Sequence, residues 1–563
     1  MNKPHLSLAL AFYSAVFKDF IVHDPSNKTS YKTSARYLLQ RLETEGLSLL
    51  TRALPEMGKA METSLITGEV FVTPPYFSKH WRSELPNFMY GCFRTLFDDS
   101  GHPLGVESAE AVYCFFALRQ VCLAYSKVTD IPSRMTLAEA EKAFRERIVE
   151  EPTITAPSWL LNKARALIQG VVMEDGRLQA MLAQWVENPY GKHGPGAVAG
   201  KEHGLSKWDF RMIRGTNPLL YRFNDRAAPI SGSANPFSRL AIVPKDFKSL
   251  RSICIEPKEF QFAQQGLWDV LKSLIHENPL TRRSINFNHQ EYNGRLCKRS
   301  DIATIDLKDA SDRVRLKLCR LLFPKEFYSL VTRYRSREIE IGNDRVRPTC
   351  FASMGSALCF PIETLVFWAL AQAAVHPRTS RKPLRVFGDD IVCPREDAPY
   401  IAKVLETCGL KVNVSKTCIR TPIRESCGAF TYAGSDVSIV RFKNTTVSSP
   451  RAWISLVESC KLLAQKSCSR ASYAMLLQLK QFWHVPFGHF GFPKSQDGFS
   501  CQSRWNPDLQ RREWRMPRLV TRYGNEKLRD MAGLYAWLVG NSTKPSSYGT
   551  DKVKMGWVAD YTE

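Results

Sequence analysis

The chain has 563 residues, 44% of them hydrophobic, which is ample for about two to four lobes and excludes a single small domain. Lys and Arg number 78 against 55 Asp and Glu, and a net charge of +23 implies a polyanionic partner; no basic amphipathic helix stands out to make that partner a membrane surface. The 15 cysteines are scattered, with no CxxC pair and no Cys/His group at zinc-ligand spacing, as expected of reduced thiols in a cytosol-like compartment.

The segment LSLALAFYSAVF near the start imitates a signal peptide, but Lys18 and Asp19 follow at once and no small-residue cleavage site is clear. A buried first helix is the expectation, and no stretch is long and apolar enough to span a bilayer. Residues 1 to about 185 read as mainly helical: segments 34–61 and 108–128 place apolar residues three and four apart, and Pro132 and Pro157 punctuate the region. Residues 188–236, rich in Gly, Pro and Ser, read as long loops of the kind that carry function. Two β-like runs follow, around 241–243 and 252–255, joined by the basic turn PKDFKSLR, and 258–276 returns to helix. Segment 302–307 alternates like a strand, and the spacing from Ser311 onward is helical. Residues 351–374 read as a second strand-loop-helix passage. Residues 384–392 are two short apolar runs around Gly388 and Asp389, a pair suited to a type II′ hairpin. A helix near 397–408, the segment LKVNVSKTCI, a mostly helical stretch from 451 and a polar tail complete the chain. The middle third is therefore α+β, and helices flank it.

The stretch VFGDDIV, residues 386–392, puts two adjacent carboxylates at a tight turn between apolar runs. Like charges side by side repel. They are tolerated where a divalent cation neutralises them, and Mg²⁺ is typically held by one or two carboxylates plus substrate phosphates. Asp306 ends the 302–307 segment directly before a loop and a helix. As a helix cap it would compete with Asp309, Ser311 and Asp312, and four oxygen-bearing side chains within seven residues exceed what one cap requires. Asp306 beside Asp389 and Asp390 would form a two-metal site for phosphoryl transfer, activating a 3′-hydroxyl and clamping an α-phosphate. Lys245, Lys248 and Arg251 on the basic turn either offer cations to a triphosphate or form a solvated charge run. Lys416 either protonates a departing pyrophosphate or lies on the surface.

The segments TIDLKDASD, SMGSALCFPIET, FGDD and VNVSKTC occur in the order of palm motifs A to D of RNA-dependent RNA polymerases. More narrowly, the chain resembles the replicases of levivirus-type positive-strand RNA bacteriophages. VPKDFKSLRSICIEP is similar to their fingers motif F, DLKDASDRVRLKL to their motif A, and RESCGAFTYAGSDVSIVRF followed by VSSP to their motif E region. KHGPGAV and RLETEGLSLLTRALP are similar to stretches upstream. The similarity runs in patches from about residue 35 to 450.

This resemblance implies an α+β right-hand polymerase with fingers, a palm of antiparallel sheet and helices, and a thumb, with helix-rich N- and C-terminal regions. Residues 1–185 would be a helical region contributing to the fingers, 186–300 the fingers with motif F, 301–450 the palm, and 451–563 the thumb and C-terminal region. It implies replication of a viral single-stranded RNA genome from rNTPs in the host bacterial cytoplasm, on an RNA template with a nascent strand. Host translation elongation factors and a ribosomal protein are the implied partners. It further implies two Mg²⁺ ions, replaceable by Mn²⁺, on Asp306, Asp389 and Asp390. Lys245, Lys248, Arg251, Ser311, Asp312, Ser353, Gly355 and Ser356 would surround the nucleotide, Lys416 would donate a proton, and Arg424 and Glu425 would lie near the priming strand. Two departures stand out: Phe387 where motif C usually has Tyr, and Ser356 where motif B often has Asn.

A reverse transcriptase shares the paired Asp but normally carries a bulky aromatic where this chain has Ser311, and a residue other than Gly before the pair. A basic RNA-binding protein without catalysis explains the charge but not three Asp at the ends of β elements.

Overall fold

The apolar run after Lys3 forms the helix Ser7–His23, whose Phe12, Tyr13, Val16, Phe17 and Phe20 are buried. The computed structural model describes residues 6–173, 176–181, 192–193, 196–200, 207, 237–481, 503–520 and 552–559; most of the loops expected over 188–236 lie outside the described residues. Asp19, which follows the apolar run, accepts backbone N–H groups of Arg470 and Ala471 at 3.1 and 3.0 Å. It thereby caps the helix Ser469–Lys480 from across the chain, satisfying donors that a helix start leaves open. The helices Lys28–Glu45, Leu54–Thr67, Tyr90–Leu96 and Ala109–Leu123 share one apolar core with Pro450–Gln465 and Ser469–Lys480.

A second core joins the helices Ser158–Val172, Lys258–Glu277, Cys359–Ala374 and Ala398–Thr407 to the strands that carry the carboxylates. A third, smaller one packs Phe144 and Ile148 of the helix Leu137–Val149 against Cys254, Ile339, Ile341 and Cys350.

The strands are β1 (Phe237–Pro244), β2 (Leu250–Ile255), β3 (Ile302–Ile305), β4 (Glu338–Ile341), β5 (Asp344–Val346), β6 (Arg385–Phe387), β7 (Asp390–Pro394), β8 (Ile423–Ser426), β9 (Ala429–Tyr432), β10 (Ser435–Asp436), β11 (Ser503–Asn506), β12 (Arg511–Val520) and β13 (Lys552–Ala559). They form four sheets, ordered β2-β1-β4-β5, β3-β7-β6, β10-β9-β8 and β11-β12-β13. Every pairing is antiparallel except β1 with β4.

Three expectations need correction. All four residues of β3 are buried, so the strand is covered on both faces rather than alternating in and out. Residues 351–358 form no regular strand; they make isolated bridges and short turns before the helix Cys359–Ala374. Beyond residue 481 the described elements are strands, not helices.

The hairpin forms as the turn residues require. Phe387 stands opposite Asp390, leaving Gly388 and Asp389 as the two-residue loop, and Gly388 has φ +61 as a type II′ turn demands. Glycine is needed a second time for space, because a Cβ at Gly388 would lie 2.4 Å from Phe360 Cε2. The Gly388 N–H donates to Thr364 Oγ1 at 3.0 Å, so the helix Cys359–Ala374 holds the turn from below.

Arg424 on β8 ties the next hairpin to this sheet. Its guanidinium is buried and donates to the carbonyls of Ile302, Thr421, Ile423 and Ser300. Replacing it with an apolar side chain leaves buried acceptors without donors. Arg424→Met should therefore cost about 3 kcal/mol, measured as a lowered urea midpoint with an unchanged transition slope. A loss below about 1 kcal/mol would mean that water replaces the guanidinium at little cost.

Candidate active site

Register brings the carboxylates together. In the antiparallel pair β3–β7, Ile305 is opposite Ile391, so Asp306, one residue past β3, arrives beside the β6–β7 turn. Asp306 Oδ2 accepts from Asn413 Nδ2 at 2.6 Å, and Oδ1 lies 3.7 Å from Lys416 Nζ. The Asn413 N–H donates to the Asp306 carbonyl at 2.9 Å, which fastens the 413–416 segment to the end of the strand. Asp306 and Asp389 face a cleft of about 630 Å³. Lys245, Arg251 and Lys416 line it, together with Asp309, Ser311, Asp312, Gly355 and Ser356.

Asp390 points elsewhere. Successive residues of a strand face opposite sides, and its Oδ2 accepts the Cys427 N–H at 3.0 Å. It does not line the cleft. The three Asp are not gathered within direct coordination distance of one another. Among the described residues, the one set of three His, Cys, Asp or Glu that close is Asp24, Cys92 and Cys114 in the N-terminal core. There Asp24 already accepts hydrogen bonds from Ser26, Asn27 and Tyr31. Of the three Asp, Asp306 and Asp389 line the cleft and Asp390 lies behind them.

The electrostatics are those of two blocks of like charge. Withdrawal from water, and next the Asp306 carboxylate, raise the Asp389 carboxyl above its ordinary value. Burial and then Asp389 push Asp390 up to about 6. Burial pulls the Lys416 ammonium down, but Glu425, Asp306, Asp389 and Asp390 together outweigh it and raise its pKa. On the opposite wall burial, then Lys127 and Arg251, lower Lys245. Lys416 offsets part of the carboxylates' repulsion, and Asp246 offsets part of that around Lys245.

The basic turn divides its residues. Arg251 pairs with Val243 across β1–β2, so Arg251 and Lys245 face the same side, into the cleft. Lys248 sits at the tip, where the Asp246 carboxylate accepts its N–H, and its ammonium lies 3.3 Å from Glu56. Its expected place at the nucleotide is therefore corrected: it is not on the cleft wall.

Ser311, Asp312, Gly355 and Ser356 line the cleft. Gly355 has φ +117, and a Cβ there would meet the Cys254 carbonyl at 2.2 Å. The Ser356 hydroxyl donates to Gln264 Oε1 at 3.2 Å and is directed into the protein. Ser353 is buried behind the wall and hydrogen-bonds the Asp312 carboxylate. Arg424 is corrected as well: its buried guanidinium spends four of its five N–H donors on protein carbonyls and is not presented on the cleft wall. Glu425 is half-buried, and burial raises its carboxyl while Lys416 opposes the shift.

Three residues of the site carry no sequence signal of their own. Asn413 lies in VNVSK, where its bond to Asp306 requires knowing that the two segments meet. Glu363 lies beneath the turn with Oε2 unpartnered, and burial pushes its carboxyl well above the usual range, with Asp389 adding to the shift. Arg147 reaches the cleft from the helix Leu137–Val149, far away in sequence.

Residues 229–463 match the family described as RNA replicase, beta-chain. The RNA-directed RNA polymerase beta chain of Escherichia phage MS2 is 34% identical over 199 residues, 35% of this chain and 36% of that one. The corresponding beta subunit of Escherichia virus Qbeta is 32% identical over 232 residues, covering 40% and 38%. That of Enterobacteria phage SP is 36% identical over 207 residues, covering 36% and 35%. The aligned part thus spans little more than a third of the length of these relatives. Among solved structures, the RNA-dependent RNA polymerase of a human picorbirnavirus superposes with a TM-score of 0.41 at 11% identity, over 78% of this chain and 91% of that one. Every cleft residue named above except Arg147 falls inside the family match. Through residues 229–463, this chain is similar to the RNA replicase beta-chain family.

Proposed function

We propose that the chain is an RNA-directed RNA polymerase that copies a single-stranded viral RNA, joining rNTPs to the 3′-hydroxyl of a growing strand. The observation that carries this reading is the cleft itself: Asp306 and Asp389 converge from separate elements opposite Lys245 and Arg251. The likeness to phage polymerase subunits supports it. We assign residues 186–300 to fingers, 301–450 to a palm and 451–563 to a thumb and C-terminal region, with 1–185 contributing to the fingers.

Asp306 and Asp389 would hold Mg²⁺, with Mn²⁺ as a substitute; bound there, the ions supply a lowered 3′-hydroxyl pKa and charge neutralisation for the polyphosphate. Lys245 and Arg251 grip the triphosphate, and Arg251 can do so through two parallel N–H bonds. Lys416, paired with Asp306, keeps its proton at Nζ and stands where pyrophosphate departs. Ser311 and Asp312 face the sugar, and the small Ser311 leaves room for a 2′-hydroxyl. Among the described residues no helix is long and apolar enough to cross a membrane. The working place we propose is the host bacterial cytoplasm, with host translation elongation factors and a ribosomal protein as partners.

The test is incorporation of labelled rNTPs on a defined RNA by the full chain, with and without bacterial extract. Asp306→Asn and Asp389→Asn should each lower incorporation on the order of a thousandfold. Both should melt no lower than the parent without divalent metal, because each removes one of two repelling charges. Mn²⁺ should raise the melting temperature of the parent and not of the mutants. Near-parental incorporation by either mutant would sink the metal assignment.

The basic turn gives a paired outcome. Arg251→Ala should raise the NTP KM about tenfold with little change in RNA affinity. Lys248→Ala, losing only a partly exposed pair with Glu56, should leave KM within about twofold. Equal effects of the two substitutions would mean that the turn binds RNA as a diffuse charge patch instead.

A further inference from the structure

The helix Leu137–Val149 lies outside the family match and outside every motif, yet it forms part of the cleft wall. It is anchored at both ends. Thr136 and Glu139 form a capping box at its start. At its end the Arg147 carbonyl accepts from Arg315 Nη2 at 2.9 Å, and the Ile148 carbonyl accepts from Thr349 N at 2.8 Å. Phe144 and Ile148 are buried in the third core against Cys254 and Cys350. The backbone of Arg147 is therefore held on the segment that follows Asp306.

Its side chain completes the arrangement. Arg147 Nε donates to Asp312 Oδ2 at 3.1 Å, and Asp309 lies 3.8 Å away on the same guanidinium. Asp312 is 8% exposed, and burial raises its carboxyl while Arg147 and then Ser353 oppose that shift. Arg147 is the cation paired to it. A carboxylate at the edge of water with one partner removed either protonates or turns toward solvent, and either change alters what it accepts.

We propose that Arg147 is the positioning residue for sugar selection: it fixes the Asp312 carboxylate where a ribose 2′-hydroxyl of the incoming nucleotide can donate to it. This rests on the polymerase reading above. It adds that a residue from the N-terminal helical region, not only from the matched stretch, decides between ribose and deoxyribose. Arg147 acts through Asp312, so its removal should weaken rNTP use while sparing dNTPs, which bring no 2′-hydroxyl to the contact.

The experiment is single-nucleotide addition by the full-length chain on a primed RNA, measuring kcat/KM for matched rNTP and dNTP. Arg147→Gln should lower the rNTP/dNTP ratio roughly tenfold. Arg147→Lys, which keeps the charge but not the planar fork, should fall between. In an Asp312→Ala background, Arg147→Gln should change the ratio no further, because two residues of one unit are not additive. If Arg147→Gln melts too low to assay, Arg147→Lys decides: a ratio below the parent's supports the proposal and an equal ratio overturns it. A raised KM for both nucleotides at constant ratio would overturn it by making Arg147 a phosphate contact. A further drop in the Asp312→Ala background would overturn it by making Arg147 independent of Asp312. Failure of the polymerase reading is separately visible, since the unsubstituted chain would then add neither nucleotide, and the proposal would fall with it.

Discussion

The repulsion between Asp306 and Asp389 is the constraint around which the centre of this protein is built. Two carboxylates converge at the mouth of a buried sheet, where burial and then Asp306 make Asp389 harder to ionise. A chain selected only for stability would separate them. Here the surrounding structure forces them together: β3 pairs with β7 in fixed register, and the glycine turn sits on Phe360 with its N–H held by Thr364. Asn413 and Lys416 relieve part of the repulsion at Asp306. That relief is incomplete, and an incompletely neutralised pair on a rigid frame is a binding site for positive charge.

The same logic runs in reverse on the facing wall. Burial, and then the nearby Lys127 and Arg251, lower Lys245. A cation alone would suit the carboxylates and repel this wall; an anion alone would do the opposite. On the function proposed, a polyphosphate carrying divalent metal would satisfy both blocks at once. The net charge of +23 acts at longer range, favouring approach of a polyanion without fixing where it lies.

What was legible in the sequence follows from how local each cause is. The hairpin was readable because a two-residue glycine turn between apolar runs is specified by neighbours in the chain. Asp306 was readable because it sits at a change of period from strand to helix. The basic turn was readable as a unit but not residue by residue. Which of Lys245, Lys248 and Arg251 faces the cleft depends on β1–β2 register and on Asp246 gathering the turn's N–H groups. Asp390 and Arg424 show the limit more sharply. Each lies in a recognisable motif, but a side chain's partner is set by packing: Asp390 by the Cys427 backbone, Arg424 by carbonyls of β3 and its own hairpin. Charge in a motif does not say whether the charge meets ligand or protein.

The N-terminal region was legible as helix and opaque as to place, and the reason is physical rather than a weakness of pattern. Helical periodicity reports that one face is covered, not what covers it. Asp19 meets Arg470 and Ala471, and Arg147 meets Asp312, across separations that no local rule reaches. These contacts have a structural consequence for the central stretch. Strands β1 and β2 form one side of the cleft, and Cys254 of β2 is covered by Phe144 and Ile148 from the Leu137–Val149 helix. Without that helix the β2 side of the wall would expose apolar surface, and Asp312 would lose its paired cation. The stretch matched to the replicase family therefore does not form this cleft alone: part of its wall, and the charge that balances the Asp312 carboxylate, comes from outside it.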